Sequence, residues 1–306
     1  MSLCPAVASG DVELVRDLLA RGADPNQLGS YKGQCAIEWA MAMVKKKNRW
    51  EDYDAVRNIF ACVELCLDAG ALPDGPSTDS RNNPPLTPLG SAVDQCRPEF
   101  VRLLLSARAD PNVPADPNGF RTTILHHAVL RGHRAPEYAE IVRLLLAAGA
   151  DHASQNNPPL NETPFRIAVC HGYHRLWPLF LQAGAEIPNS WKRMQAYSEE
   201  QGQHAEAQRY EYLRTIEAAG GFKAYEKAHT RALASMLATK FTARIPEEIF
   251  PRVVAFWAHA GFYVSAAAVA EIEANTALAG NIRRQRQFKS SRAAALEDVI
   301  ARLERV

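Results

Sequence analysis

The sequence predicts an all-α protein, a solenoid of stacked helix-turn-helix units over residues 1–221 followed by a small helical bundle over residues 222–306. Three observations carry this reading. A Leu-rich phrase recurs along the chain, a second phrase built on Thr-Pro precedes it, and the apolar residues of both follow helical spacing.

The Leu-rich phrase reads Leu18-Leu19-Ala20-Arg21-Gly22-Ala23-Asp24-Pro25-Asn26, then Leu103-Leu104-Leu105-Ser106-Ala107-Arg108-Ala109-Asp110-Pro111-Asn112, then Leu144-Leu145-Leu146-Ala147-Ala148-Gly149-Ala150-Asp151. Weaker copies end in Gly70-Ala71 and Gly184-Ala185, so the unit returns at Gly22, Gly70, Arg108, Gly149 and Gly184, in steps of 48, 38, 41 and 35 residues. The upstream phrase reads Thr87-Pro88-Leu89, Thr123-Ile124-Leu125-His126 and Thr163-Pro164-Phe165. Threonine caps a helix start and proline fits its first position, where a missing N–H costs little. Small Ala92, Ala128 and Ala168 allow close approach of successive first helices, and Phe100, Val101, Leu104 and Leu105 place an apolar stripe on the second. No unit buries that stripe alone, so stability must come from stacking. Glycine then ends four of the five second helices, and Arg108 is the exception, which implies local strain or a different cap.

These two phrases resemble the T-P-L-H-x-A-A opening and the L-L-L-x-x-G-A-D-x-N close of the ankyrin repeat, whose period is about 33 residues. The resemblance covers about two thirds of the chain. It places repeats near 1–26, 31–74, 83–112, 119–151 and 160–187, with a degenerate cap at 189–221 whose Glu, Gln and Arg residues supply the polar face a terminal unit needs. Repeat one has only a short first helix, Leu3 to Ser9. Repeat two replaces the opening phrase by Cys35-Ala36-Ile37-Glu38-Trp39-Ala40 and carries an insertion from Lys45 to Asp54. Repeat four has about five extra residues at Arg134 to Tyr138, and Asn-Asn-Pro-Pro-Leu phrases at 82–86 and 156–160 stiffen two long loops.

Beyond residue 221 the pattern stops repeating. Phe222, Tyr225, Ala232, Leu233, Met236, Leu237 and Phe241 share a helix face, Ile245-Pro246-Glu247-Glu248-Ile249 opens a second helix, and the stretches 265–278 and 290–306 read as two more. Ile245, Pro246, Ile249, Val253, Phe256 and Trp257 also resemble the core of F-box-type segments. That resemblance implies docking to a linker protein of a ubiquitin ligase, while the same residues equally make an ordinary packing helix.

Composition narrows the function. Lys plus Arg total 35 against 34 Asp plus Glu, so no global field draws the chain to nucleic acid or anionic membrane. Nowhere do 18 apolar residues run together, and the N-terminus lacks the order of a secretory signal; an intracellular, cytoplasmic protein without membrane insertion is the expectation. The six cysteines are scattered, which fits reduced thiols. No H-E-x-x-H, Walker A or G-x-S-x-G motif is present, so no catalysis and no cofactor are expected. Cys170, His171 and His174 suggest a metal, but a closed zinc site needs four ligands and no second pair is spaced for it. Arg283, Arg284, Arg286, Lys289 and Arg292 surround one aromatic, Phe288, too narrow a footprint for nucleic acid.

The family resemblance implies that another protein is bound in the concave groove, by residues the repeat leaves free. On the first helices these are Asp94, Gln95, Leu130, Arg131, Cys170 and His171. On the loops they are Tyr31, Lys32, Arg81, Asn82, Asn118, Phe120, Arg121 and Asn161, and the insertion adds Trp50 and Tyr53. The function implied is a scaffold or assembly subunit, with a ubiquitin-ligase adaptor as the alternative.

Overall fold

A computed structural model describes residues 3–29, 34–46, 53–75, 87–113, 122–132, 135–156 and 161–241. Among them are thirteen α-helices: α1 Leu3–Ser9, α2 Val12–Ala20, α3 Ala36–Lys46, α4 Tyr53–Asp68, α5 Pro88–Asp94, α6 Pro98–Ser106, α7 Ile124–Arg131, α8 Glu137–Ala147, α9 Pro164–Cys170, α10 Trp177–Gln182, α11 Ser190–Glu200, α12 His204–Ala218 and α13 Phe222–Phe241. They pair as helix-turn-helix units, the first helix of each stacking on the next in the order α1, α3, α5, α7, α9, α11. The second helices do the same where α2 meets α4 and α8 lies between α6 and α10.

The start of each first helix is fixed by its cap. Thr87 and Thr163 Oγ1 accept the backbone N–H of Gly90 and Arg166 at 3.1 and 3.2 Å, with Pro88 and Pro164 in the first turn. Thr123 forms a full capping box with His126, whose Nδ1 lies 3.2 Å from the Thr123 N–H. Repeat two keeps the device with other residues: the Glu38 carboxylate accepts the Cys35 N–H at 2.8 Å. Cys35-Ala36-Ile37-Glu38 therefore stands where Thr-Ile-Leu-His stands in repeat four.

Counted from each cap, the second, fifth and sixth residues are buried, as Ile37, Ala40 and Met41, Leu89, Ala92 and Val93, Leu125, Ala128 and Val129, and Phe165, Ala168 and Val169 show. The alanines are fully buried, which lets neighbouring helices approach, and the longer side chains join one core that runs through all the repeats. Phe60 of α4 meets Phe100 of α6 edge-on at 5.2 Å between centroids, and Phe165 stacks on Phe180 at 5.2 Å.

The second helices end as the sequence implies. Gly22, Gly70, Gly149 and Gly184 have φ between 83° and 90°. Arg108 adopts the same left-handed conformation at φ 70° and keeps the same bonds, Arg108 N–H to Leu105 at 3.0 Å and Ala109 N–H to Leu104 at 3.0 Å. Beyond each cap a side chain ties one unit to the next. Asn26 donates to the Gly70 carbonyl at 3.1 Å and accepts from Leu72 N–H at 2.7 Å.

The sixth pair, α11 and α12, closes the stack. Trp191, Ala207, Tyr210, Leu213 and Ile216 are buried, while α12 carries the Arg209–Glu206 and Arg214–Glu211 pairs on its more exposed surface. The chain divides into two compact units, Met1–Glu226 and Lys227–Val306, with the division inside α13. The border drawn from sequence at residue 221 lies one turn earlier, because Tyr225 of α13 packs edge-on against Tyr212 of α12 at 5.7 Å. The helices expected from residue 245 onward lie outside the described residues.

Candidate binding face of the first helices

With the second, fifth and sixth positions buried, helical geometry leaves the fourth, seventh and eighth after each cap on one face. In chain order this face carries Trp39, Ala42 and Met43 on α3, Ser91, Asp94 and Gln95 near α5, His127, Leu130 and Arg131 on α7, Cys170 and His171 at the end of α9, where the fourth residue, Ile167, is buried instead, and Arg193, Ala196 and Tyr197 on α11.

The polar members are fixed by their own neighbours. Arg131 donates to Asp94 Oδ1 at 2.7 Å, and His127 Nε2 lies 3.3 Å from the same oxygen, so α5 and α7 share one half-buried charge cluster. The Asp94 side chain is only 15 % exposed, and Tyr138 OH donates to its backbone carbonyl at 3.4 Å. Gln95 Nε2 donates to the Met41 carbonyl at 3.0 Å, joining repeat three back to repeat two. These candidates therefore stitch the repeats together while presenting part of their surface, and they are preorganised rather than loose.

The apolar members are more open. Leu130 is 42 % exposed and Tyr197 54 %, against full burial of the residues one position before Leu130 and two before it. His171 is exposed, its ring stacked on Tyr173 at 5.5 Å and 16°. Asn161, exposed with φ 43°, stands just before α9. Tyr53 opens α4. Tyr31, Lys32, Trp50, Arg81, Asn82, Asn118, Phe120 and Arg121 lie outside the described residues, as do Ile245, Pro246, Ile249, Val253, Phe256 and Trp257.

Sequence reasoning missed Trp39, Met43, His127 and Tyr197. The signal was present: each sits four or eight residues after its cap, the same register as Ser91, Gln95, Arg131 and His171.

The buried histidines have structural partners. His126 is fully buried, and burial holds its imidazole below the ordinary histidine range. With Nδ1 accepting from Thr123 N–H, its Nε2–H donates to the Glu162 carbonyl of the next repeat at 3.0 Å. His174 Nδ1 lies 3.2 Å from the Gly172 carbonyl, and burial pushes this histidine down as well. Burial pushes the Cys62 and Cys66 thiols up to about 11 and about 12, so they stay protonated at neutral pH. Among the described residues no group of three or more His, Cys, Asp or Glu is placed to hold a metal ion. Among them, too, no helix is long and apolar enough to cross a membrane.

A family profile described as ankyrin repeats, in three copies, matches residues 92–190, which span α5 to the start of α11. No curated protein matches the chain.

Proposed function

We propose, from the premise that this chain is an ankyrin-repeat protein, that it is a non-catalytic scaffold or assembly subunit holding another protein in the concave groove lined by its first helices. Ankyrin repeats mediate binding to other proteins, and the family is typically non-catalytic. The observation that carries the reading is the first-helix face, where Leu130 stays exposed beside a rigid Asp94, Arg131 and His127 cluster and Tyr197 stays exposed on α11. Aromatic and arginine side chains dominate interface energies, and a fixed polar frame lowers the ordering cost of binding. The loop candidates from Tyr31 to Asn161 would form one wall of that groove, with residues 222–306 an appended helical region. Buried, protonated thiols fit a reducing, cytoplasmic setting.

The alternative, a ubiquitin-ligase adaptor, rests on Ile245 to Trp257. One experiment separates the two. Partners recovered by proximity labelling of the full chain are compared with those of a groove variant, Leu130→Asp with Tyr197→Ala, and a variant of the second region, Ile249→Asp with Trp257→Ala. Recovery should fall about tenfold, or 1.4 kcal/mol, in the groove variant alone. Loss confined to the second variant, with ligase subunits among the lost proteins, would replace the scaffold reading by the adaptor one.

A further inference from the structure

We draw no further inference here: the strongest candidate, the cluster of buried thiols Cys4, Cys35, Cys62 and Cys66 where α1, α3 and α4 pack together, carries nothing, because among the described residues no three such side chains are placed to hold a metal ion and nothing else in the structure shows what the cluster would bind.

Discussion

The Asp74 carboxylate accepts the backbone N–H of Asp110 at 3.0 Å, one bond where asparagine makes two at the equivalent positions of repeats one and three. Asn112 accepts from Asp151 N–H at 2.8 Å and donates to the Gly149 carbonyl at 3.4 Å. A carboxylate cannot donate, so the Arg108 carbonyl lacks the matching side-chain bond from Asp74. Burial, with Asp110 nearby, also pushes the Asp74 carboxyl above its usual range, a cost of keeping it ionised.

Asp74→Asn should therefore raise stability by about 1 kcal/mol, the worth of one added hydrogen bond. Asn112→Ala should lower it by about 1–2 kcal/mol, since it leaves a carbonyl and an N–H without their partner. Urea unfolding measures both. A destabilised Asp74→Asn protein would mean that the negative charge, not the bond count, matters at this junction.

Arg108 offers a second gain. Its φ of 70° places a side chain where Gly22, Gly70 and Gly149 carry none. Strain of this kind costs about 1–3 kcal/mol, partly offset by the greater chain entropy that glycine loses on folding. Arg108→Gly should stabilise the protein by about 1 kcal/mol, and Gly149→Ala should destabilise it by a similar amount. Unchanged midpoints for the pair would show that the left-handed cap is relaxed here.

How far the sequence could be read follows from these same residues. Caps and closes were legible because Thr, Pro and Gly act through local backbone physics, so α5, α7 and α9 begin directly after Thr87, Thr123 and Thr163, and the short first helix stands at Leu3 to Ser9 as expected. The Glu38 cap was not legible, because a carboxylate replaced a histidine and a cysteine a threonine, and only the shared N–H acceptor reveals the match. Asp94 and Arg131 were legible as face positions. That they bind each other was not, since the pairing joins residues 37 apart in sequence through the repeat-to-repeat offset.

Protonation gives a third prediction. His126 is held below the ordinary range by burial, so the unfolded chain binds its proton more readily than the folded one. The stability it supports is present above the unfolded value of about 6.5 and is lost as pH falls from there through the folded value. Between pH 8 and 5 the wild type should lose more stability than His126→Gln, a difference that cancels the opposing contribution of Glu38, whose carboxyl burial pushes up. Parallel pH profiles would show that His126 titrates alike in both states.

Thiol chemistry gives a fourth. Cys62 and Cys66 are buried with thiols pushed to about 11 and about 12, whereas Cys170 is half-buried at the end of α9. Only the thiolate reacts, so at pH 8 the Cys66 fraction is about one part in 10,000. An aromatic disulfide reagent should label Cys170 in the first phase, which Cys170→Ser removes and Cys62→Ser with Cys66→Ser leaves intact. Early labelling of Cys66 would reveal opening of repeat two in the native protein.

The last prediction concerns the terminal unit. Tyr210 of α12 donates to the Val169 carbonyl at 3.0 Å while Trp177 donates to the Ala168 carbonyl beside it, and the two rings meet at 5.1 Å. The cap thus does two things at once: it covers the apolar end of repeat five, and it adds a second bond to the Val169 carbonyl, which also accepts the Gly172 N–H at 3.2 Å. Tyr210→Phe keeps the cover and removes the bond, so it should cost about 1–2 kcal/mol with the protein still monomeric. Ending the chain at Gly184 removes both, exposing the side of Trp177 that Tyr210 of α12 covers. That truncated chain should aggregate, since stacked repeats need a polar end to stay dispersed. Light scattering and thermal unfolding distinguish the cases. A monomeric truncated chain that melts like the full protein would show that α11 and α12 are not a cap, and a silent Tyr210→Phe would show that water replaces the hydroxyl at Val169.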